Sequence, residues 1–489
     1  MNSTLRPHQV RALDMLRASL RSGHHRPILQ APTGFGKTIL AAAIVEGALA
    51  KGNRVTFVVP SLDLVDQSLA AFEREGIEHV GVIQANHPRT DPTAPVQVAS
   101  VQTLARRKPG PADVVIVDEA HLRRGSLSRW MHDPAWAKVP FVGLSATPWS
   151  RGLGADFDDL LIAATTRDLI RDGYLSPFRV FAPSAPDLRG VRTVRGDFHE
   201  GDLARAMSAN RLVGDIVGEW RKRASDLPTL VFAVDRAHAR RLTDEFAAAG
   251  IPTAYIDGET PRDDRESAKA ALRAGAVRVI VSVNTMIAGI DLPEVRCLVI
   301  ARPTQSEVLH VQMIGRGLRT ASGKERLLIL DHAGNHQRLG FPTDIYHNHL
   351  DDGEERPKAR TDGAPKPIAC SSCTALRPPT KSACPACGHA PAPRRIEHRR
   401  GELHEMAAAP PRASREVMQA WYSQLIWIAE ARGYRFAWVS HQFHERFGVW
   451  PRGLVDQRAR PGPDVLAHVQ ASRDAVWPAP PDDYRVGAW

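Results

Sequence analysis

The stretch Ala31-Pro32-Thr33-Gly34-Phe35-Gly36-Lys37-Thr38 lies between the short apolar run Pro27-Ile28-Leu29 and an alanine-rich run at residues 39–50. This order predicts a strand, a tight loop and a helix. Glycines let backbone N–H groups converge on an anion, and the helix that follows directs its positive end toward the same point. Lys37 would then contact the β- and γ-phosphates of a nucleotide, and Thr38 would bind Mg²⁺. The residues of this predicted site are Thr33, Gly34, Gly36, Lys37 and Thr38.

The chain has 489 residues, of which 43% are hydrophobic and 24% are charged. This composition is ordinary for a folded protein, and the length predicts two or more domains. A formal net charge of +10 favours a polyanionic partner such as a nucleic acid. The first residues lack the apolar core of a signal peptide, and no apolar run has the length of a membrane span. We therefore expect a cytoplasmic protein without a membrane partner.

Short apolar runs alternate with helix-length segments in two successive series. Alternation of this kind predicts α/β domains, in which helices cover parallel sheets. We therefore expect two such domains, of which only the first carries a phosphate loop. Besides the strand before that loop, the predicted strands are 55–59, 80–83, 96–101, 114–117, 141–144, 229–232, 253–256, 277–281, 297–300 and 327–330.

Two acidic residues, Asp118 and Glu119, follow directly after the apolar run 114–117. The carboxyl ends of parallel strands are where α/β sheets bind ligands, so this pair is expected beside the phosphate loop. There Asp118 would bind Mg²⁺ opposite Thr38, and Glu119 would orient or deprotonate an attacking water. The two motifs together predict hydrolysis of a nucleotide.

The runs Asp118-Glu119-Ala120-His121 and Ser145-Ala146-Thr147-Pro148 resemble motifs of the superfamily 2 helicases of the DEAD/DEAH group. Ala31, which replaces the first glycine of the common phosphate-loop pattern, is usual in that group. The resemblance covers residues 1–345. It implies two tandem RecA-like domains that bind ATP in the cleft between them, and it implies that His121, Ser145 and Thr147 couple hydrolysis to the grip on nucleic acid.

The same resemblance assigns residues near the amino terminus and along the expected nucleic-acid face. Arg6 and Gln9 match the element that reads adenine. Two further segments resemble motifs that face the nucleic acid. The residues implied to contact it are Ser61, Ser100, Gln102 and Thr103.

In the second domain, the run Gln312-Met313-Ile314-Gly315-Arg316-Gly317-Leu318-Arg319 is similar to the motif whose arginines reach the γ-phosphate across the cleft. Such arginines cancel charge in the transition state and contribute roughly 10³ to 10⁵ in rate. Because Arg316 and Arg319 are three residues apart, we expect one helix to present both on one face. The resemblance also places Gln312, Gly289 and Asp291 at the nucleotide.

Four of the five cysteines form two C-x-x-C pairs: Cys370 with Cys373, and Cys384 with Cys387. Each pair presents two thiolates to one ion, and the short span lets the pairs complete a tetrahedral Cys₄ site. Since no ligand position remains for water, the expected Zn²⁺ is structural. Disulfides are not expected, because cytoplasmic thiols are kept reduced. Cys297 is predicted to be a buried strand residue.

With such a module directly behind the two domains, and with runs such as Ala301-Arg302-Pro303-Thr304 and Gly340-Phe341-Pro342, the chain looks like the RadD-type repair helicases of bacteria and their phage-borne relatives. The predicted parts are a first RecA-like domain at 1–165, a second at 166–348, a linker at 349–368, a zinc-binding module at 369–390, a basic linker at 391–412 and a small α-helical domain at 413–489.

In the last part, apolar residues such as Trp421 and Leu425 recur at helical spacing behind Ser414, a predicted N-cap, and before Gly433, a predicted stop. Most of the aromatic residues in this part are expected to form a small core. Base stacking or binding of a protein partner is the alternative.

The predicted function is that of an ATP-dependent helicase or translocase acting on DNA, single-stranded or branched, in repair, recombination or phage DNA metabolism. The C-terminal region would contact repair or replication proteins. Two alternatives share every ATPase residue and stay open at this point. One is an ATP-switched accessory factor that binds nucleic acid without unwinding it, and the other is an RNA helicase.

Overall fold

The computed structural model describes residues 2–84, 87–107, 109–122, 125–182, 186, 188–194, 196–207, 210–283, 292–354, 366–390, 413–447, 449–451 and 453–471. Gly289, Asp291, the predicted basic linker 391–412 and residues 355–365 of the first predicted linker lie outside these ranges. The chain divides into two compact units, Met1–Pro393 and Arg394–Trp489. Within the described residues, no helix has both the length and the apolar character needed to cross a membrane.

The amino-terminal part of the larger unit alternates strands and helices. Its elements are α1 (Pro7–Arg21), β1 (Pro27–Gln30), α2 (Lys37–Leu49), β2 (Val55–Val59), α3 (Asp63–Arg74), β3 (Val80–Val82), β4 (Val96–Ser100), α4 (Val101–Leu104), β5 (Val114–Asp118), α5 (Gly125–Met131), β6 (Phe141–Ser145) and β7 (Asp159–Ile162). The seven strands form one parallel sheet in the order β3-β4-β2-β5-β6-β1-β7. All predicted strands of this series are present, and β7 at the sheet edge is additional.

The order of this sheet brings three functional segments together. Strand β6 lies between β1 and β5, with Gln30 opposite Ser145 and Leu144 opposite Asp118. Because parallel strands end at the same edge, the phosphate loop after β1, Ser145 and the acid pair meet there. Strands β1, β2, β4 and β6 are buried throughout, as expected for a parallel sheet covered on both faces.

A second parallel sheet follows in the same unit. Its elements are α6 (Thr166–Arg171), β8 (Phe178–Phe181), β9 (Thr193–Val194), β10 (Asp197–Phe198), α7 (Glu200–Met207), α8 (Asn210–Ala224), β11 (Thr229–Phe232), α9 (Arg236–Ala248), β12 (Thr253–Ile256), α10 (Arg262–Ala274), β13 (Val279–Ser282), β14 (Cys297–Ile300), α11 (Glu307–Leu318), β15 (Leu327–Asp331) and α12 (Asn335–Leu339). Its strand order is β12-β13-β11-β14-β15-β8, with β9 and β10 forming a separate antiparallel pair. Cys297 is fully buried in β14, as predicted.

The cysteine module packs on the second sheet. It contains the antiparallel strands β16 (Ile368–Ala369) and β17 (Leu376–Arg377). Ala375 forms an isolated antiparallel bridge with Phe181 at the end of β8, and Cys370 and Cys384 belong to the same buried cluster as Phe181. The module is therefore an extension of the second domain.

The chain returns to the first domain before this module. Gly154 N donates to Asp351 O at 2.8 Å, and Gly152 N donates to Asp351 Oδ1 at 2.7 Å. Leu350 packs against the apolar cluster of the first domain that contains Trp130. The opening residues of the predicted linker 349–368 are thus attached to the folded unit.

The smaller unit contains α13 (Arg415–Arg432), α14 (Phe436–Phe447) and α15 (Pro463–Ala471). As predicted, Ser414 caps α13 by accepting from Val417 N, and Gly433 ends it with φ +68°. Phe443 is buried and Trp421 and Trp438 pack around the core, whereas Trp427 is 39% exposed. The described aromatic residues thus form mainly a core; Trp477 and Trp489 lie outside the described residues.

Candidate active site

The phosphate loop depends on two glycines in the left-handed region, Gly34 with φ +85° and Gly36 with φ +87°. A Cβ on Gly34 would lie 2.4 Å from Leu175 Cδ2, and a Cβ on Gly36 would lie 2.4 Å from Gln9 Nε2. Both conformation and space therefore require glycine. Helix α2 begins at Lys37, so its first N–H groups face the loop, as an anion site at a helix N-terminus requires.

The start of α1 and the residue that caps it hold this loop. Gln9 Nε2 donates to Phe35 O at 3.1 Å and to Gly36 O at 3.2 Å, and Gln9 Oε1 accepts from Arg6 N at 2.8 Å. Arg6 itself lines the cleft, with its guanidinium 5.0 Å from the ring centroid of Tyr174. Arg6 and Gln9 thus lie beside the nucleotide loop, where the sequence placed them.

The acid pair surrounds the Lys37 ammonium. Lys37 Nζ donates to Glu119 Oε1 and lies 3.8 Å from Asp118 Oδ1. Burial acts to lower the pKa of Lys37, but the two carboxylates outweigh it and raise that pKa. For Asp118 burial prevails and raises the pKa, whereas for Glu119 the opposing effect of Lys37 prevails and lowers it. The two acids therefore differ: Glu119 is the more firmly ionised.

Glu119 also has a strained backbone, with φ +47°. A residue with a side chain pays roughly 1–3 kcal/mol for this region, and such strain clusters at functional sites. Here the turn directs Glu119 toward Lys37 while Ala120 N donates to Leu144 O at 3.0 Å in the adjacent strand. The strained turn thus holds the Glu119 carboxylate beside the phosphate loop.

A hydrogen-bonded network runs from His121, which follows the acid pair in the chain, into the second domain. His121 Nδ1 lies 2.9 Å from Ser145 Oγ, and Gln312 Nε2 lies 3.0 Å from His121 Nε2. Gln312 Nε2 also donates to Thr147 Oγ1 at 3.3 Å. Burial lowers the pKa of His121 to about 4, so the ring is neutral at pH 7 and its Nε2 accepts from Gln312. The three predicted coupling residues are therefore in one network with Gln312.

The two arginines reach the same cleft from different local structures. Arg316 lies in α11, but this helix ends at Leu318, and Arg319 has an extended conformation with ψ +140°. Arg319 therefore lies one residue beyond the helix end, where Leu175 and Ser176 hold its main chain, and both arginines line the same cleft. Burial lowers the pKa of each arginine, yet a guanidinium remains charged at neutral pH.

The second domain meets the phosphate loop without a gap. A Cβ on Gly315 in α11 would lie 2.5 Å from Thr33 Oγ1, so only glycine allows this approach. The cleft between the domains has a volume of about 240 Å³. It is lined by Arg6, Pro32, Thr33, Gly34, Gly36, Lys37, Thr38, Glu119, His121, Leu122, Ala146, Gln312, Arg316 and Arg319. Asp118 and Thr38 line a smaller adjoining cavity of about 110 Å³.

The four predicted nucleic-acid residues lie away from this cleft lining. Ser61 follows β2, and Ser100 caps α4 by accepting from Thr103 N at 3.1 Å. Gln102 is exposed on α4. Their role in binding nucleic acid stays a prediction.

Sequence reasoning missed Tyr174 and Leu175, which connect the domains beside the loop. The ring of Tyr174 packs against His8 at 4.7 Å between centroids, and Leu175 contacts Gly34. The single signal in the sequence was an aromatic and an apolar residue directly after the turn residue Gly173. Their contacts with the phosphate loop depend on how the two sheets pack, which the local sequence does not reveal.

The four module cysteines converge. One ligand atom from each lies within 4.8 Å of the others, with Sγ–Sγ distances of 3.8 Å for Cys370–Cys387 and 3.7 Å for Cys373–Cys384. With Zn–S bonds of about 2.3 Å, a tetrahedron has edges of about 3.8 Å. The cluster therefore has the size that a tetrahedral metal site needs.

A phosphate loop and an acid pair on one sheet, faced by two arginines from a second sheet, define a two-domain ATPase of the RecA-like type. Family models agree with this class: "Type III restriction enzyme, res subunit" matches residues 2–150, and "Helicase conserved C-terminal domain" matches residues 209–321. The two matches support a superfamily 2 helicase and an ATP-hydrolysing enzyme of that class.

Individual relatives match over similar lengths. A "51.5 kDa protein" of a Lactococcus phage is 27% identical over 74% of this chain and 77% of its own. The "Putative ATP-dependent helicase IRC3" of Saccharomyces cerevisiae is 28% identical over 68% of this chain. The matched part is 51% of that protein's length. A solved fragment of a putative HsdR subunit of a type I restriction enzyme from Vibrio vulnificus has a TM-score of 0.55 at 21% identity, over 71% of this chain and 67% of the fragment. That likeness shows the shared fold.

Proposed function

We propose that this enzyme is an ATP-driven motor that moves along or unwinds DNA, in repair, recombination or phage DNA metabolism. The observation that carries the proposal is the contact of Gln312 in one domain with His121 and Thr147 in the other. The residues that follow the acid pair thereby contact α11, the helix that carries Arg316. Hydrolysis of the nucleotide would therefore alter the contact between the two domains. A strand held by both domains would be gripped differently before and after hydrolysis.

Within the cleft, each residue has a chemical task. Lys37 leaves its carboxylate partners and neutralises the phosphates, while the N-terminus of α2 holds the same anion. Glu119, ionised and released from Lys37, orients the attacking water or accepts its proton. Arg316 and Arg319 cancel the charge that develops on the γ-phosphoryl group. Arg6 and Gln9 would hold the adenine end.

Mg²⁺ fits beside Thr38 and Asp118, which present a hydroxyl and a carboxylate to one small cavity. The ion, when bound, neutralises phosphate charge. Burial raises the pKa of Asp118, so a cation bound beside it would stabilise its ionised form.

The Cys₄ cluster is proposed to hold structural Zn²⁺. The observed Sγ spacing supports this, and four cysteine ligands leave no position for a reacting water. Such a site needs reduced cysteines, which supports the proposed cytoplasmic location.

DNA is favoured as the nucleic acid for two reasons. The formal net charge of +10 suits a polyanion. In addition, the first family model bears the name of a restriction-enzyme subunit. Single-stranded or branched DNA is the proposed form, and the smaller unit is the proposed site for repair or replication proteins.

The test is strand displacement on labelled partial duplexes of DNA and of RNA, with ATP turnover followed on the same substrates. The expected result is displacement or translocation on DNA that needs ATP and is lost in Lys37→Ala. The exposed Lys51→Ala is the matched control. Turnover stimulated by RNA alone would replace the DNA proposal with an RNA helicase, and DNA-stimulated turnover without movement would replace it with an ATP switch.

A further inference from the structure

The end of helix α11 is held by a lysine outside the cleft lining. Lys324 Nζ donates to Gly317 O at 2.6 Å, to Arg319 O at 2.7 Å and to Pro293 O at 3.2 Å. An ammonium has three donors, and all three are used here. The last carbonyls of a helix lack partners within the helix and favour a positive charge. Lys324 supplies a hydrogen-bond donor and a positive charge to these carbonyls at the end of α11, next to Arg319.

The same main chain is also held by the segment that connects the two domains. Ser176 N donates to Leu318 O at 2.7 Å, and Ser176 Oγ donates to Arg319 O at 3.3 Å. Leu175 forms an antiparallel bridge with Arg319. Leu175 and Ser176 are almost fully buried, with 1% and 2% exposure. The backbone of Arg319 is therefore fixed between Lys324 and these two residues.

One of these residues also touches the phosphate loop. Leu175 Cδ2 lies where a Cβ of Gly34 would stand, 2.4 Å from it. Leu175 thus contacts the loop of the first domain and the arginine backbone of the second. One buried residue therefore joins the two, with its side chain on the loop and its main chain beside Arg319.

We propose that Lys324 is a positioning residue that, together with Leu175 and Ser176, holds Arg319 in register with the phosphate loop. The inference rests on the proposed role of Arg319 at the γ-phosphate. Removing the ammonium leaves the carbonyls of Gly317 and Arg319 without this donor and frees the main chain at Arg319. Displacement of a catalytic group by about 1 Å costs about 10²-fold in rate, so turnover falls while ATP binding by Lys37 and the loop persists.

The test compares Lys324→Met with Lys269→Met, a buried lysine of α10 that pairs with Glu266. The expected result is a kcat at least about tenfold lower for Lys324→Met, with the KM for ATP changed less than about threefold. Lys269→Met should keep the wild-type kcat. Should Lys324→Met fail to fold, Lys324→Gln, which retains amide donors without the charge, carries the same comparison.

A double variant separates positioning from general destabilisation. If Lys324 acts through Arg319, then Lys324→Met/Arg319→Ala turns over ATP no more slowly than Arg319→Ala alone. A wild-type kcat in Lys324→Met, or losses that multiply in the double variant, would overturn the inference while leaving the proposed function intact. Absence of ATP turnover in the wild-type protein would instead overturn the proposed function.

Discussion

Gln312 Nε2 lies 3.0 Å from His121 Nε2, and the two residues belong to different parallel sheets. His121 follows the acid pair, and Gln312 lies one helical turn before Arg316 in α11. This contact therefore joins the segment that follows the acid pair to the helix that carries Arg316. We propose that this contact couples hydrolysis to domain movement.

Gln312→Ala should uncouple the two processes. The substitution removes the bonds to His121 and Thr147 but leaves Lys37, Glu119 and both arginines in place. We expect a nucleic-acid stimulation reduced about tenfold, since coupling energies of 1–3 kcal/mol are typical. Basal ATP turnover should fall less than this, because the catalytic residues themselves are kept. Turnover with and without single-stranded DNA measures this, with the exposed Gln337→Ala as control. Unchanged stimulation would show that the contact does not couple the domains.

Glu119→Gln should separate binding from hydrolysis. The amide keeps the shape of the side chain but can neither accept a proton nor hold the Lys37 ammonium as an ion pair. ATP affinity is expected to be equal or higher, because Lys37 no longer has to leave a carboxylate, and turnover should fall about 10²- to 10⁴-fold. Equilibrium binding of a fluorescent ATP analogue and steady-state turnover check this beside the exposed Glu78→Gln. A variant that hydrolyses ATP at the wild-type rate would remove Glu119 from the mechanism.

Acidification should destabilise the protein below pH 6.5. Burial lowers the pKa of His121 and of His238 to about 4 and that of His310 to about 3, against 6.5 for a free histidine. Between these values the unfolded chain binds more protons than the folded chain, so the free energy of unfolding falls as the pH falls. The stabilisation that the neutral buried histidines provide is fully present above pH 6.5. Calorimetric Tm values at pH 7.5 and 5.0 should show a clear drop, and an equal Tm at both would contradict the assignment of neutral buried rings.

Removal of two cysteine ligands should remove the metal. In Cys373→Ser/Cys384→Ser we expect zinc content by elemental analysis to fall from about one ion per chain to near zero, because a structural site needs all four thiolates. The Cys297→Ala variant should retain the ion. The β16–β17 module packs on the second domain, so the Tm should fall as well. Wild-type protein that contains no zinc and has four thiols open to alkylation would refute the site.

Local sequence determined much of what could be predicted. The phosphate loop, the acid pair and the two C-x-x-C pairs are each encoded by residues that lie close together in the chain, and their chemistry follows from residue type. Buried parallel strands such as β2, β5 and β14 are apolar enough to be recognised directly. The family models agree with the resemblance to superfamily 2 helicases, whereas the RadD-type subgroup stays a prediction.

Features decided by distant contacts were not predictable in the same way. Helix α11 ends before Arg319 because Lys324, Leu175 and Ser176 hold the next residue in an extended conformation, and no local pattern announces this. Strand β8 was missed because its partner, β15, lies far along the chain. Gly34 and Gly36 of the loop are also required because Leu175 and Gln9 pack closely against them, and this second requirement is visible only in the folded protein.

The central claim is that the ATPase site is completed by the second domain, and the most direct measurement is DNA-stimulated ATP turnover in Arg316→Ala and Arg319→Ala beside the exposed Arg326→Ala. We predict losses of roughly 10³-fold or more in kcat for each cleft arginine, with ATP affinity retained, as expected for groups that act on the transition state. Arg326→Ala should behave as wild type. Cleft-arginine variants that turn over ATP at the wild-type rate would show that the first domain hydrolyses ATP alone and would contradict the account.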